Sequence, residues 1–102
     1  MTIVNATSRT EDRIFLLVSY LNEEWSERVK DNFLLDLSKC IEYIQWNPAL
    51  FPIYDENRNI RRCVITKHNF LIYQIRDNDI QVLTIWDNRM DIESLNRLLT
   101  NN

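Results

Sequence analysis

The chain has 102 residues, no glycine, two cysteines and a formal net charge of −3. The absence of glycine excludes phosphate-binding loops, dinucleotide-binding fingerprints and nucleophile elbows, because each needs glycine for a close backbone approach or a strained turn. The length and a charged fraction of 26% are typical of one soluble domain, which we place at residues 1–102.

Targeting, membrane and metal functions find no support in the sequence. The first residues have neither a basic region nor an apolar core, so we expect no signal peptide and a cytoplasmic location. The apolar runs are far shorter than the ~20 residues of a membrane-spanning helix, so no membrane partner is expected. Cys40 and Cys63 lack metal-site spacing and the chain has one histidine, which predicts two buried thiols, no metal and no cofactor.

The N-terminal half predicts a strand followed by two helices. Residues 2–6 are short and β-prone. Residues 8–11 have the pattern of a capping box with Ser8 as the N-cap, and apolar residues follow at i, i+3, i+4 and i+7. Ser26 can cap a second helix that ends before Pro48, because the residue before a proline avoids the α region. The short connection indicates an αα-hairpin.

The spacing of apolar residues changes from a helical to an alternating period after residues 48–59, which are predicted to form a loop. Three β-branched and aromatic runs, at 60–65, 70–75 and 80–86, are separated by turns short enough for hairpins, which predicts an antiparallel meander. A weakly amphipathic tail follows residue 91. The predicted fold class is α+β in the order β-α-α-β-β-β with a C-terminal helical tail. The helix pair covers one face of an antiparallel sheet, and the opposite face is partly open.

Basic side chains are concentrated in the C-terminal half. Residues 1–56 hold five Lys and Arg against ten Asp and Glu, whereas residues 57–102 hold seven against five. Arg61 and Arg62 lie on a predicted strand, where alternation directs them to opposite faces, and the fork of an arginine suits phosphate or carboxylate. The alternative is that an arginine here forms an ion pair with an acidic helix residue.

Polar groups also lie in a predicted turn and at the end of the last strand. Lys67 and His68 occupy the turn, and a histidine can act as a general acid or base near neutral pH, although a lone turn histidine is more often simply solvated. Arg89 can reach the open sheet face, where Asp87 can orient it through a charge-assisted hydrogen bond. Tyr73 is expected to fill the core. No carboxylate pair, catalytic triad or metal cluster can be read from the spacing.

Five segments carry a family resemblance that extends over nearly the whole chain. They read LNEEWS at 21–26, IQWNPALFP at 44–52, IRRCVI at 60–65, KHNFLIY at 67–73 and IWDNRMD at 85–91. In this order and at this spacing they resemble the RelE/ParE superfamily of toxins from type II toxin–antitoxin systems. The resemblance implies a helical hairpin on an antiparallel sheet. It also implies a bacterial growth inhibitor of the plasmid-stabilisation kind, neutralised by a cognate antitoxin.

The resemblance leaves the target of the toxin open. ParE-like members are not enzymes and inhibit DNA gyrase, whereas RelE-like members cleave mRNA on the ribosome. The residues that would serve cleavage, or else bind the target, are Arg61, Arg62, Lys67, His68 and Arg89. A pI of about 5.1 and the acidic Asp87 favour the ParE-like alternative, because docking on rRNA demands positive charge. A third alternative is a non-toxic homologue that acts only as a protein-binding module.

The resemblance also implies that an antitoxin wraps a disordered or helical segment around the toxin. The apolar helix faces and the C-terminal leucines predict its contacts, at Ile14, Val18, Leu95 and Leu98. The expected assembly is a toxin dimer or a toxin–antitoxin hetero-oligomer.

Overall fold

A five-stranded sheet lies between helices in a computed structural model of the chain, which describes residues 3–24, 26–77 and 79–100. The strands are β1 (Ile3–Ala6), β2 (Ile53–Asp55), β3 (Ile60–Val64), β4 (Asn69–Ile75) and β5 (Asp79–Asp87). The helices are α1 (Ser8–Glu24), α2 (Glu27–Trp46) and α3 (Ile92–Thr100), with a 3-10 turn at Pro48–Leu50. The predicted α+β class, helical hairpin and C-terminal helix are confirmed.

The strand order in the sheet is β1-β5-β4-β3-β2. The meander of β3, β4 and β5 is antiparallel, as predicted. β1 joins the sheet in parallel beside β5, with Ile3 opposite Asp79, so the sheet is mixed rather than antiparallel throughout. β2 lies inside the segment 48–59, which was predicted to be a loop. Its three residues are too few to show a period of two.

Side-chain caps start both helices of the hairpin. The backbone N–H of Thr10 donates to the hydroxyl of Thr7 at 3.2 Å, so Thr7 rather than Ser8 caps α1 and the predicted capping box is wrong by one residue. The hydroxyl of Ser26 accepts from the N–H of Val29 at 3.2 Å, which confirms the predicted cap of α2. Each cap satisfies an N–H group that has no partner within its helix.

The main core lies between the hairpin and the sheet. α2, which ends before Pro48 as predicted, contributes four buried residues at helical spacing, from Phe33 to Ile44. The buried members of this core are Phe33, Leu37, Cys40, Ile44, Cys63, Ile65, Leu71, Tyr73, Ile80 and Val82. Cys40 and Cys63 are paired across α2 and β3, with Cα atoms 6.6 Å apart. Their burial is as predicted, but the prediction of two free thiols is wrong, because the two cysteines form a disulfide that no spacing motif signals.

A second core lies on the opposite face of the sheet, beneath α3. Its buried members are Ile60, Phe70, Ile72, Leu83, Trp86, Leu95 and Leu99. The prediction of a partly open face is therefore wrong over the area that α3 covers. The tail could close this face because its leucines recur at helical spacing and lie on one side of α3.

A bulge in β5 provides the carbonyl to which the start of α1 is hydrogen-bonded. Ile72 pairs with Thr84 and Tyr73 pairs with Val82, which leaves Leu83 as the additional residue on β5. The buried hydroxyl of Thr10 donates to the backbone carbonyl of Leu83 at 2.9 Å. This bond ties the first turn of α1 to the middle of β5.

Without glycine, a left-handed backbone position must fall on another residue, and asparagine tolerates that conformation best. Among the described residues the positive φ falls on Asn59, at 54°. We expected such a residue at Asn69, Asn78 or Asn88. The residue type is confirmed, Asn69 and Asn88 are wrong, and Asn78 lies outside the described residues. The carbonyl of Asn59 accepts from the N–H of Ile75 at 3.1 Å, which joins this turn to β4.

Candidate functional site

A cleft that we call the main groove lies between the helical hairpin, the β3–β4 turn and the end of β5. Its volume is about 500 Å³. The described residues that line it are Leu17, Tyr20, Val29, Asn32, Phe33, Asp36, Thr66, Lys67, His68, Asn69, Asp87 and Arg89. The helices contribute apolar residues together with Asn32 and Asp36, and the turn and the end of β5 contribute further charged residues. Three of the five predicted functional residues, Lys67, His68 and Arg89, come together here.

Hydrogen bonds hold the turn that carries Lys67 and His68. The Thr66 hydroxyl oxygen lies 3.2 Å from three donors, which are the N–H of His68 and the N–H and side-chain amide of Asn69. Asn88 donates from its side chain to the carbonyl of Lys67 and from its backbone to that of His68, both at 2.8 Å. The turn is therefore pre-organised by contacts on both sides, and its two basic residues border the groove from a fixed backbone.

Arg89 is held by a carboxylate of its own chain. Its Nε donates to Asp87 Oδ1 at 2.9 Å, its Nη2 contacts Asp87 Oδ2, and its backbone N–H also donates to Oδ1. These hydrogen bonds from Arg89 hold the pKa of the Asp87 carboxyl below its ordinary value. The carboxylate in turn raises the pKa of Arg89. The predicted orienting role of Asp87 is therefore present, and its carboxylate occupies the edge of the Arg89 guanidinium that Nε and Nη2 form.

Arg61 lies outside the main groove, in a clamp on the 3-10 turn that we call the 48–51 clamp. Its Nη1 donates to the carbonyls of Ala49 at 3.1 Å and Phe51 at 2.6 Å. The hydroxyl of Tyr73, which is buried as predicted, donates to the carbonyl of Pro48 at 2.6 Å. Burial raises the pKa of Tyr73 to about 12, although the charge of Arg61 acts in the opposite direction. The partners of Arg61 are thus backbone carbonyls rather than the acidic side chain considered above.

Arg62 lies on the other face of β3, as strand alternation predicts. Its guanidinium carbon is 5.7 Å from the centre of the Phe70 ring, which is within the range of a cation–π contact. Phe70 belongs to the core beneath α3. The Arg61–Arg62 pair is therefore divided between the two faces of the sheet and does not act on one ligand with the groove residues.

A smaller groove of about 200 Å³ adjoins the main groove and shares Leu17, Asn69 and Asp87 with it. We call it the side groove; α1 lines it with Arg13 and Leu16. The spacing of these residues with Leu17 and Tyr20 places all four on one flank of α1. Sequence reasoning missed Arg13, Leu16, Tyr20 and Asp36, because the period of a helix does not show which flank borders a cleft.

The residues predicted to contact an antitoxin have partners within the chain where they are described. Ile14 packs against the main core. Leu95 of α3 is buried in the second core, and Leu98 of the same helix is partly buried against that core. The side chain of Val18 lies outside the described residues.

Metal clusters and membrane-spanning helices are both absent from residues 3–24, 26–77 and 79–100. No group of three or more His, Cys, Asp or Glu side chains in these ranges is placed to hold a metal ion. No helix in them is long and apolar enough to cross a membrane.

The chain matches a known protein family in sequence. Residues 5–92 match the family model described as the ParE toxin of the type II toxin–antitoxin system parDE. No curated protein is significantly similar to the chain in sequence.

Solved structures share the fold at low sequence identity. A chromosomal ParDE toxin–antitoxin system from P. aeruginosa superimposes with a TM-score of 0.70 at 11% identity, covering 85% of this chain and 96% of the other. A YoeB–YefM complex from Staphylococcus aureus gives 0.56 at 15% identity, covering 84% and 95%. The Helicobacter pylori protein HP0894 gives 0.54 at 18% identity, covering 87% and 97%. Both the ParE and the YoeB type therefore share this arrangement of strands and helices.

Proposed function

The chain belongs to the family of ParE toxins from type II toxin–antitoxin systems, and from this premise we propose that it arrests bacterial growth by binding DNA gyrase. In this proposal the protein acts in the cytoplasm, performs no chemistry of its own and is neutralised by a cognate antitoxin. The alternative within the superfamily is cleavage of mRNA on the ribosome, so the argument depends on what the cations of the chain can do.

The observation that carries the proposal is that the three candidate arginines already have contacts within the chain. Cleavage through the 2′-hydroxyl needs a base, an acid and cations that stabilise the pentavalent phosphorus. Arg61 is engaged in the 48–51 clamp, Arg62 lies on the opposite face of the sheet, and Arg89 is neutralised by Asp87. Lys67 and His68 remain, which is a small set for this chemistry but a suitable set for a protein interface.

The nuclease alternative rests on one favourable observation. Lys67 and His68 are adjacent, border the same groove and sit on a hydrogen-bonded turn. A histidine and a lysine so placed could serve a proton transfer and a phosphate contact. The third alternative, a non-toxic homologue that binds only an antitoxin, requires no function of this pair.

Induced expression of the chain without antitoxin tests the three alternatives together. We expect induction of the SOS response while protein synthesis initially continues, and inhibition of supercoiling when purified toxin is added to DNA gyrase. A Lys67→Ala/Arg89→Ala variant should inhibit at least tenfold less, whereas Arg97→Ala, an exposed cation of α3, should not differ from the wild type. Prompt translation arrest with cleavage of ribosome-bound mRNA would refute the proposal, and normal growth would support the non-toxic homologue.

The antitoxin is proposed to cover the flank of α1 beside the two grooves. Leu16 and Tyr20 are 65% and 55% exposed there, and Met90 is 56% exposed. Arg13 and Lys67 offer positive charge along the same surface. An antitoxin segment that places apolar side chains in the grooves and carboxylates near these cations would complement both features.

A matched pair of variants tests this surface. Leu16→Ala/Tyr20→Ala should weaken antitoxin binding at least tenfold in calorimetry. Phe15→Ala should leave it within about threefold, because Phe15 is 70% exposed on the same helix but lines neither groove. Equal losses in the two variants, or no loss in either, would place the antitoxin elsewhere. Calorimetry on variants substituted at the other predicted antitoxin contacts tests those residues in the same way. They are Ile14, Val18, Leu95 and Leu98.

A further inference from the structure

The main groove carries two carboxylates that an anion-binding site would not need. Asp36 of α2 and Asp87 at the end of β5 line it together with Lys67, His68 and Arg89. Among the described residues that line the groove, two carboxylates therefore oppose two permanent cations, with His68 counted as neutral. The side groove adds one further cation, Arg13. Both sides of the groove therefore carry charged residues, but the groove has almost no net charge.

Asp87 competes with any external anion for Arg89. Its side chain is 24% exposed, whereas that of Arg89 is 61% exposed, so the carboxylate is the more fixed member of the pair. The backbone N–H of Arg89 donates to the same carboxylate and anchors it further. A phosphate at the Nε–Nη2 edge of Arg89 would have to replace hydrogen bonds already made within the chain. A phosphate at the other edge would remain close to the negative charge of Asp87.

Asp36 repels an anion from the opposite side of the groove. It is half-buried on α2, on the wall that faces the β3–β4 turn. Charges that line a cleft with apolar walls act more strongly than charges on an open surface, because less water screens them. An anion that enters the groove therefore meets the negative charge of both Asp36 and Asp87, which line it.

We propose that Asp36 and Asp87 determine the class of ligand that the main groove accepts, by excluding the phosphate backbone of nucleic acids and admitting a polypeptide segment. A nucleic acid carries a negative charge on every nucleotide and cannot avoid these carboxylates. A polypeptide can place an apolar side chain on Leu17 and Tyr20, direct a single carboxylate to Lys67 and meet Asp36 with a donor. This inference rests on the proposed function, and it names the residues that enforce it.

Removing the two negative charges tests the inference. Asp36→Asn/Asp87→Asn should raise the affinity for a labelled 15-nucleotide single-stranded RNA at least tenfold over the wild type, measured by fluorescence anisotropy at 50 mM salt. The affinity of this variant for the RNA should decrease between 50 and 200 mM salt. A plot of the logarithm of the binding constant against the logarithm of the salt concentration should have a slope of about −0.7 for each phosphate contacted. Asp36→Asn alone keeps the Asp87–Arg89 contact and should give a smaller gain. Thermal melting of each variant establishes that it is folded at the assay temperature.

The matched control changes the total charge equally but outside the groove. Asp12→Asn/Glu42→Gln removes two exposed carboxylates of α1 and α2 and should bind the RNA within twofold of the wild type. The proposal is overturned if the groove variants gain no affinity, or if the control gains as much as they do. Assays of the wild type separate this result from the proposed function. Cleavage of ribosome-bound mRNA by the wild type would refute the proposed function, whereas gyrase inhibition without an RNA-binding gain in Asp36→Asn/Asp87→Asn would refute only the present inference.

Discussion

The hydroxyl of Tyr73 offers a sharp test of the 48–51 clamp. It donates a hydrogen bond to the carbonyl of Pro48, and the residue is fully buried. Tyr73→Phe removes the donor and keeps the ring, so the carbonyl of Pro48 loses this partner. A buried polar group left unsatisfied costs about 1 to 3 kcal/mol. We therefore expect the free energy of unfolding at pH 7 to fall by this amount.

The pKa of Tyr73 predicts how that difference changes with pH. The value of about 12 in the folded chain exceeds the ordinary value of about 10, so the folded state binds the proton more tightly than the unfolded state. The stabilisation is fully present below about pH 10 and is lost as the pH rises from there toward 12. At pH 11 the wild type should have lost about 1.4 kcal/mol that the phenylalanine variant cannot lose.

Urea denaturation of both proteins at pH 7 and pH 11 measures these two quantities. The difference in unfolding free energy between wild type and variant should shrink by about 1.4 kcal/mol at the higher pH. Tyr43→Phe is the matched control, because Tyr43 is 59% exposed, and it should change stability by less than about 0.5 kcal/mol at either pH. A Tyr73→Phe difference that is equal at pH 7 and pH 11 would refute the burial and pairing of the hydroxyl.

Three further outcomes are expected from single substitutions. Thr10→Val leaves the buried carbonyl of Leu83 without its donor and should cost about 1 to 3 kcal/mol in urea unfolding, whereas Thr10→Ser keeps the hydroxyl and should cost less. Ser26→Ala removes the cap of α2 and should cost about 0.5 to 2 kcal/mol; Ser26→Asp should restore most of it, and equal losses would contradict the cap. The pKa of the Asp87 carboxyl, measured by NMR titration, should lie below the ordinary ~3.9 of aspartate, and Arg89→Ala should raise it. The contribution of the Asp87–Arg89 contact to folding stability is present above that ordinary value. It is lost as the pH falls through the lowered pKa of Asp87.

Much of the fold could be predicted because its signals are local. The meander of β3 to β5 follows from three β-branched runs and two short turns, and the end of α2 follows from Pro48. Ser26 was identifiable as a cap because its hydroxyl needs only the N–H groups of the next turn. The start of α1 was misplaced by one residue, since Thr7 and Ser8 are both good caps and sequence alone does not choose between them.

The candidate site was less predictable, because it depends on which surfaces meet. Alternation correctly divided Arg61 and Arg62 between the two faces, but it could not show that the carbonyls of the 3-10 turn would engage Arg61. Arg13 and Asp36 have ordinary helical spacing, and only the packing of the hairpin on the sheet brings them to the grooves. The aspartate beside Arg89 was recognised from adjacency in sequence, which is why this one contact was predicted.

The parallel pairing of β1 with β5 has a consequence for the synthesis of the protein. Ile3 pairs with Asp79, so β1 cannot join the sheet until most of the chain has been synthesised. Residues 87 and 89, which complete the wall of the main groove, are translated later still. At about 5 to 20 residues per second, several seconds pass between the synthesis of the hairpin residues and the synthesis of the strands that cover their apolar face. Incomplete products that end before β5 would lack this groove wall, so premature termination of translation should yield fragments that are inert and prone to degradation.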